Sequence, residues 1–276
     1  MFKKILVPLD GSINAERSLA WVHAYGGAQK ATVVLIRILT PGEGGSAAVG
    51  DARRYLDEVG LKLADRGIAA KVIVRSGSPA HEIVETADHE RCDVIVMPTR
   101  GGSPVKRWLV GGVTEQVMRA ARTSVLVIRS QVPVAAQGKV KRILVPIDGS
   151  KLSESALAWG EQLARFHGST LELFHSAAAA GRRLENLFDA LRQRATYTVR
   201  RLRQQGLSAQ FKIREGDPAD SLLKHARSSD LIVMTTHGLG GLKRWLLGSV
   251  AEKVIHEAKV PVLIYRGPNL AKAALA

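Results

Sequence analysis

Two Asp-Gly-Ser triplets close matching stretches of this 276-residue chain, VPLDGS ending at Ser12 and VPIDGS ending at Ser150. In each an apolar run stops at a carboxylate, which places Asp10 and Asp148 where a ligand hydroxyl, or a cation travelling with it, meets an acceptor. The same residues also make a turn, because Asp-Gly is common turn chemistry and Ser12 or Ser150 can start the next helix. A second chemistry-bearing run is TTHGLGGLKRWLLGSVAEKV, which follows the apolar DLIVM. Gly238, Gly240 and Gly241 leave backbone N–H groups clear of Cβ atoms, and Gly248 with Ser249 opens a helix. The first N–H groups of a helix have no partner within it, and its N-terminus carries about half a positive charge. A phosphate therefore fits between the glycine loop and Ser249, with Lys243 and Arg244 strengthening the local field. Ser249 three residues ahead of Glu252 is also a capping box, which would make Gly-Ser a helix start. The two roles are compatible, since a capping hydroxyl accepts from the helix while its own proton points outward.

Other chemistry is disfavoured. No GxxxxGK[ST] loop occurs, and GLGGLK lacks the strand context and the hydroxyl that such a loop uses for Mg²⁺, so at most slow ATP hydrolysis is expected. The eight histidines show no metal-ligand spacing, so no metal site is assigned. His237 reads as a loop residue beside the ligand, and His23, His81 and His89 as helix-surface residues. No catalytic residue is assigned. A slow phosphoryl transfer would rest on Asp148 and His237 alone.

The elements that must position these residues are written twice. KKILVPLDGS at 3–12 returns as KRILVPIDGS at 141–150, and the Trp turn WLVGGV at 108–113 returns as WLLGSV at 245–250. Two equal domains are expected, at 1–130 and 139–276, joined by the Pro/Ala/Gly linker QVPVAAQG at 131–138. Within the first, strands are predicted at Ile5–Leu9, Thr32–Ile38, Ala70–Arg75, Asp93–Met97 and Ser124–Arg129. Their runs are continuously apolar, as in strands covered on both faces. Amphipathic helices lie between them. In the second half Ala156, Trp159, Leu163 and Phe166 share one helix face, with Ser153 at the N-cap position. Five βα repeats per half give an α/β fold of two tandem, doubly wound, five-stranded parallel-sheet (Rossmann-like) domains, expected to pack as a pseudo-twofold pair within the chain. Such sheets take ligands at the carboxyl ends of their strands, where strand order reverses. Whether two chains also form a homodimer is left open.

VPIDGS, GDPADSLL, DLIVMTTHG and the closing GLKRWLLGSVAEKV to PVLIY resemble a universal stress protein of the tandem two-domain type, over nearly the whole chain. The resemblance implies a stress or regulatory protein holding ATP or a related adenine nucleotide, with Mg²⁺ as a candidate companion. It also implies a motif of Gly, two residues, Gly, nine residues, Gly and then Ser or Thr. Gly238, Gly248 and Ser249 match it, while Thr235 stands at the first Gly. The implied contacts are Asp148, Ser176 (through its backbone, after the second strand), Thr235, Thr236, His237, Gly238, Gly241, Gly248, Ser249 and Val250. The first half is degenerate: Asp10, Gly101 and Gly111 match, but Pro98 replaces the first Gly and Gly112 the Ser or Thr.

Net charge is +15, with 18 basic and 13 acidic residues up to Gly138 and 22 against 12 beyond it. Such an excess attracts anions of any kind and leaves open a nucleic-acid-associated protein of low sequence specificity, with the nucleotide loop vestigial. GRRLENLFDALRQRATYTVRRLRQQG, at 181–206, holds seven of the arginines. They read most simply as a solvated helix face, without the interleaved exposed aromatics that single-strand stacking needs. The single cysteine, Cys92, reads as filler at a strand entrance and suits a reducing cytoplasm. No stretch approaches ~20 apolar residues, so no membrane span is expected. A protein partner is open.

Overall fold

The computed structural model describes residues 2–26, 31–43, 45–99, 112–129, 140–177, 182–236 and 247–266. The chain folds as two compact units. The first runs β1 (Lys4–Pro8), α1 (Ile13–Gly26), β2 (Thr32–Leu39), α2 (Ser46–Ala64), β3 (Ala70–Ser76), α3 (Pro79–His89), β4 (Val94–Pro98), α4 (Gly112–Ala120) and β5 (Ser124–Ile128). The second runs β6 (Arg142–Pro146), α5 (Lys151–His167), β7 (Thr170–Ala177), α6 (Arg182–Gln204), β8 (Ala209–Glu215), α7 (Pro218–Ala226), β9 (Leu231–Met234), α8 (Ser249–Glu257) and β10 (Val262–Ile264).

Strand order is β3-β2-β1-β4-β5 in the first unit and β8-β7-β6-β9-β10 in the second, with every one of these neighbours parallel. These are the two doubly wound parallel sheets expected from the repeats. Order reverses between β1 and β4, and again between β6 and β9, so the loops leaving those strands share one edge. β4, β5 and β9 are buried along their whole length, which accounts for their unbroken apolar sequences. A carboxylate pins the entrance of each unit. Asp93 Oδ2 accepts from the N–H groups of Lys3 (2.5 Å) and Lys4 (2.8 Å), and Asp230 Oδ2 from those of Lys141 (2.8 Å) and Arg142 (2.9 Å).

The strands fall within a residue or so of their predicted bounds, and α5 starts at Ser150, as the Asp-Gly-Ser turn allowed, and not at Ser153; its facing differs. Its N-cap is Ser150, whose Oγ accepts from the Ser153 N–H at 3.1 Å; Ser153 lies inside the first turn, buried, with its own hydroxyl donating to the Ser150 carbonyl. The buried stripe is Ser153, Ala156, Gly160, Leu163 and Ala164, so Gly160 faces the sheet and Trp159 only flanks it, its ring tilted against that of Tyr265 with centroids 5.3 Å apart. A Cβ on Gly160 would stand 2.6 Å from Val145 Cγ2 and 3.2 Å from Leu171 Cδ1. The helix comes so close to β6 and β7 that only glycine fits.

At the far end of α5, burial pushes the His167 imidazole down to about 4 from its usual 6.5. Between those values an unfolded chain takes up the proton that the folded one refuses, so this group's contribution is intact above pH 6.5 and is lost as pH falls toward 4. Thermal unfolding should show a fall in stability over that window that is smaller in His167→Gln; equal falls in both proteins would refute the assignment. His23, expected on the surface, is also half-buried, and burial followed by the nearby Arg66 lowers its pKa.

Cys92 is buried at the entrance to β4, where desolvation raises its thiol to about 12. The thiolate is the reactive form. An aromatic disulfide reagent at neutral pH should therefore label the native chain no faster than it unfolds, and label it promptly in denaturant. Fast native labelling would contradict this environment.

β3 and β8 stand at the margins of their sheets. Their exposed residues include Lys71 and Arg75 in the first and Lys212 and Arg214 in the second. No helix among the described residues is long and apolar enough to cross a membrane.

Candidate functional site

The sequence predicts a site at the ends of β6 and β9, and these strands are neighbours, with Ile143 opposite Leu231 and Leu144 opposite Ile232. β6 leads into a tight Asp-Gly-Ser turn. Asp148 Oδ1 accepts from the Ser150 N–H (3.0 Å), and Gly149 takes φ +84°, a left-handed conformation that side chains resist. The turn role of this triplet is thus real, and it leaves Asp148 half-exposed at the strand edge. The first unit builds the same turn, with Ser12 N–H to Asp10 Oδ1 at 2.9 Å and Gly11 at φ +81°.

β9 ends at Met234, and Thr235 and Thr236 follow it, both buried. The Gly248 N–H donates to the Thr236 carbonyl at 2.8 Å, which draws the start of α8 to the end of β9. The N-cap of α8 is Gly248, not Ser249, and no side chain caps it. This corrects the capping-box reading: Ser249 is the first helical residue, its side chain is exposed, and Val250 follows half-buried. With a glycine at the cap, no side-chain oxygen from that position competes for the first-turn N–H groups. Lys253 pairs with Asp220 of α7 at 2.6 Å, fixing this helix to its neighbour. His237, Gly238 and Gly241 lie outside the described residues, as do Gly101 and Gly111 of the first half.

Ser176 sits within β7, one residue short of its end, and its Oγ donates to the Gly216 carbonyl at 3.1 Å, tying the ends of β7 and β8 together. It is a strand residue and not the first one beyond the strand. Beside it, His175 Nδ1 hydrogen-bonds the Ile147 carbonyl at 2.8 Å, so this imidazole braces the strand just ahead of Asp148. A cavity of about 360 Å³ runs between α5 and α6 and reaches Asp148 and Gly149, with Leu157, Leu173 and Leu191 along it. Glu161 closes one side. Burial raises its carboxyl, but hydrogen bonds from Arg165 (2.9 Å) and Arg201 (3.1 Å) outweigh that and hold it below the usual range.

The first unit differs at the same edge. Arg37, at the place of His175, lies across the turn: a Cβ on Gly11 would stand 2.8 Å from its Nη1. Its guanidinium is 5.9 Å from the ring of Tyr55, whose hydroxyl donates to Glu16 at 2.9 Å. Burial and that carboxylate push the Tyr55 phenol far up. Pro98 is the last residue of β4, its carbonyl accepting from Thr114 Oγ1 (2.9 Å), and Gly112 opens α4 as Ser249 opens α8. Sequence reasoning passed over Arg37 and His175, although Arg37 breaking the apolar run VVLIRIL, with His175 at the matching position of LELFHSA, was the available signal. Among the described residues no three His, Cys, Asp or Glu side chains gather as a metal-binding group.

Comparison with known proteins places this architecture. A universal stress protein of Mycobacterium tuberculosis is 27% identical over 286 aligned positions, spanning 95% of this chain and 96% of that one. A universal stress protein of Thermus aquaticus is 33% identical over 135 positions, 46% of this chain and 98% of the relative, as a single-unit protein matching one half would be. The crystal structure of a universal stress protein from Archaeoglobus fulgidus superposes with a TM-score of 0.78, covering 96% of this chain and 99% of that one at 24% identity, and so shares the fold. The model of the universal stress protein family matches residues 1–129 and again 139–266. With that model met twice, once by each five-stranded unit, the chain belongs to the universal stress protein family as a tandem member.

Proposed function

We propose that the second unit holds an adenine nucleotide of the ATP kind at the shared edge of β6 and β9, as a regulatory ligand that is retained and not rapidly turned over. The observation that carries this is the glycine-capped start of α8, tied by the 2.8 Å Gly248–Thr236 bond to the end of β9, the strand that neighbours β6 and its Asp148 turn. A helix start of this kind presents N–H donors and positive potential to a phosphate. The exposed Ser249 hydroxyl adds a donor, and Asp148 offers an acceptor to a ribose hydroxyl. The donor set fits a polyphosphate ester: donors at one end, a carboxylate at the other. Gly238, Gly241 and His237 complete the proposed contacts, with Val250 and Thr235 beside them and the Ser176 backbone toward the base. On this reading the first unit carries a weak or degenerate counterpart at Asp10, and the protein acts in the reducing cytoplasm that a lone buried cysteine suits.

Acid extraction of the purified chain, followed by chromatographic identification of what is released, tests the reading. An adenine nucleotide at a substantial fraction of one per chain is expected. Absence of any released nucleotide, together with no heat of binding for ATP, ADP or AMP, would overturn it.

A further inference from the structure

The repeat supplies an internal control for α6. This helix and its counterpart α2 each bury an apolar stripe, Leu191, Ala195, Val199 and Leu202 in one and Ala52, Leu56, Val59 and Leu63 in the other. Their outward chemistry is unlike. α2 has three basic and three acidic residues, and α6 has seven arginines and two acids. The same place in the fold is thus filled without any charge excess, so packing does not require the arginines of α6.

Some of them have structural partners. Arg194 pairs with Glu154 (2.6 Å), Arg201 with Glu161 (3.1 Å), and Arg203 Nε donates to the Ala209 carbonyl (2.7 Å). Arg192 and Arg200 are exposed and make no ion pair or hydrogen bond among the described residues. Between them stands Tyr197, 69% exposed, the one large hydrophobic residue of the second unit so exposed among those described. On a helix its neighbours are three and four positions away, and at those positions stand Arg194, Arg200 and Arg201. The fourth such position is Gln193, and with Arg194 and Arg201 paired to glutamates, Arg200 is the arginine beside this exposed aromatic that makes no ion pair or hydrogen bond among the described residues, an interleaving that the sequence reading did not credit to this segment.

We propose that the outer face of α6 binds single-stranded nucleic acid, with a base stacked on Tyr197 and the adjoining phosphate held by Arg200, one turn along the helix. Every base has a π-face, so stacking on tyrosine tolerates any sequence, and arginine beside the ring serves both phosphate and stacked base. A duplex offers no free base face to a lone exposed ring. An anionic membrane is the poorer fit, because a helix lying in a bilayer surface inserts its apolar stripe, and that of α6 is buried in its own unit, Leu202 completely. The proposal does not depend on the nucleotide reading above.

The test uses the full chain and a fluorescein-labelled, mixed-sequence strand of about 16 nucleotides, near the upper site size of such surfaces, as RNA and as DNA, with the corresponding duplex and phosphatidylserine vesicles beside them. Polarisation should show single strands bound more tightly than the duplex, with affinity falling as salt rises. Tyr197→Ala should weaken single-strand binding about tenfold and Tyr197→Phe should leave it nearly unchanged. Arg200→Ala should weaken it and flatten the log–log salt slope by about 0.7, the share of one phosphate contact. Both positions are exposed, so melting temperatures should stay the same. The proposal is overturned if no strand binds at low salt, if the duplex binds as well and Tyr197→Ala changes nothing, or if vesicles are the only partner whose binding the variants lose.

Discussion

Calorimetric titration of the full chain with ATP is expected to give close to one tight site, abolished by Gly248→Val and little changed by Gly111→Val. The asymmetry follows from three differences at the same sheet edge. Pro98 has no N–H where Thr235 has one, and Gly112 has no hydroxyl where Ser249 has one. A contact to an ionised phosphate is worth roughly 1.5–3 kcal/mol, so two lost contacts cost the first unit on the order of 3 kcal/mol or more, about a hundredfold in affinity. The third difference is Arg37, whose guanidinium lies against the Gly11 turn in the first unit, where the second has the smaller His175 turned onto the Ile147 carbonyl. Gly248 has φ −64° and ψ 148°, a conformation open to any residue, so loss of binding in Gly248→Val would report a blocked helix start and not a strained backbone. A Cβ at Gly112 meets nothing within 4 Å. Gly112→Ser can therefore supply the missing hydroxyl without a clash, yet with Pro98 and Arg37 in place it should not make the sites equal. Two equal sites in the natural chain, or a dominant effect of Gly111→Val, would refute the account.

Gly160→Ala and Gly50→Ala are expected to change stability in opposite directions, although both replace a glycine inside a helix by the best helix former. Propensity alone favours each by up to about 1 kcal/mol. At Gly50 in α2 the new methyl meets nothing within 4 Å, so that gain should appear almost whole in denaturant unfolding. At Gly160 the methyl is driven to 2.6 Å from Val145 Cγ2, a distance real Cβ atoms do not tolerate. Both contacts are with the sheet beneath, so α5 must lift from β6 and β7, a strain of roughly 1–3 kcal/mol that outweighs the propensity. Gly160→Val should cost more and leave the second unit partly unfolded. A stabilised Gly160→Ala protein would mean that α5 rides higher over the sheet than described.

Those two glycines also mark where the sequence stops being legible. Periodicity placed the strands well, because a strand buried on both faces has to be apolar throughout, and the repeat checked each element against a second copy. Periodicity of 3.6 cannot say which of two adjacent residues meets the sheet: Trp159 was the larger apolar residue, but the helix turned Gly160 inward because close approach buries more of Ala156 and Leu163. In SKLSES several serines offered a cap, and the left-handed Gly149 decided it by ending the turn at Ser150. The same ambiguity hid Gly248 behind Ser249. That the loops after β6 and β9 leave one edge was legible, because the order of the repeats makes those strands neighbours. Arg37 was not, since its meaning depends on lying across a turn made by a distant part of the chain. Nor was Tyr197, whose exposure depends on which face of α6 the sheet takes.

The marginal strands β3 and β8 have a consequence for how the protein behaves when concentrated. A strand at the border of a sheet displays an unsatisfied row of backbone donors and acceptors, a template on which a foreign chain can add itself. The sequences involved, AKVIVRS and AQFKIRE, are rich enough in β-formers to invite such addition. Arg75 on one border, where Lys71 is already paired with Glu90 at 2.7 Å, and Lys212 and Arg214 on the other, give such borders a charge that disfavours their pairing. Neutralising Lys212 and Arg214 together is therefore expected to raise the tendency of concentrated protein to assemble into fibres, read by thioflavin fluorescence, while leaving the fold of the second unit in place.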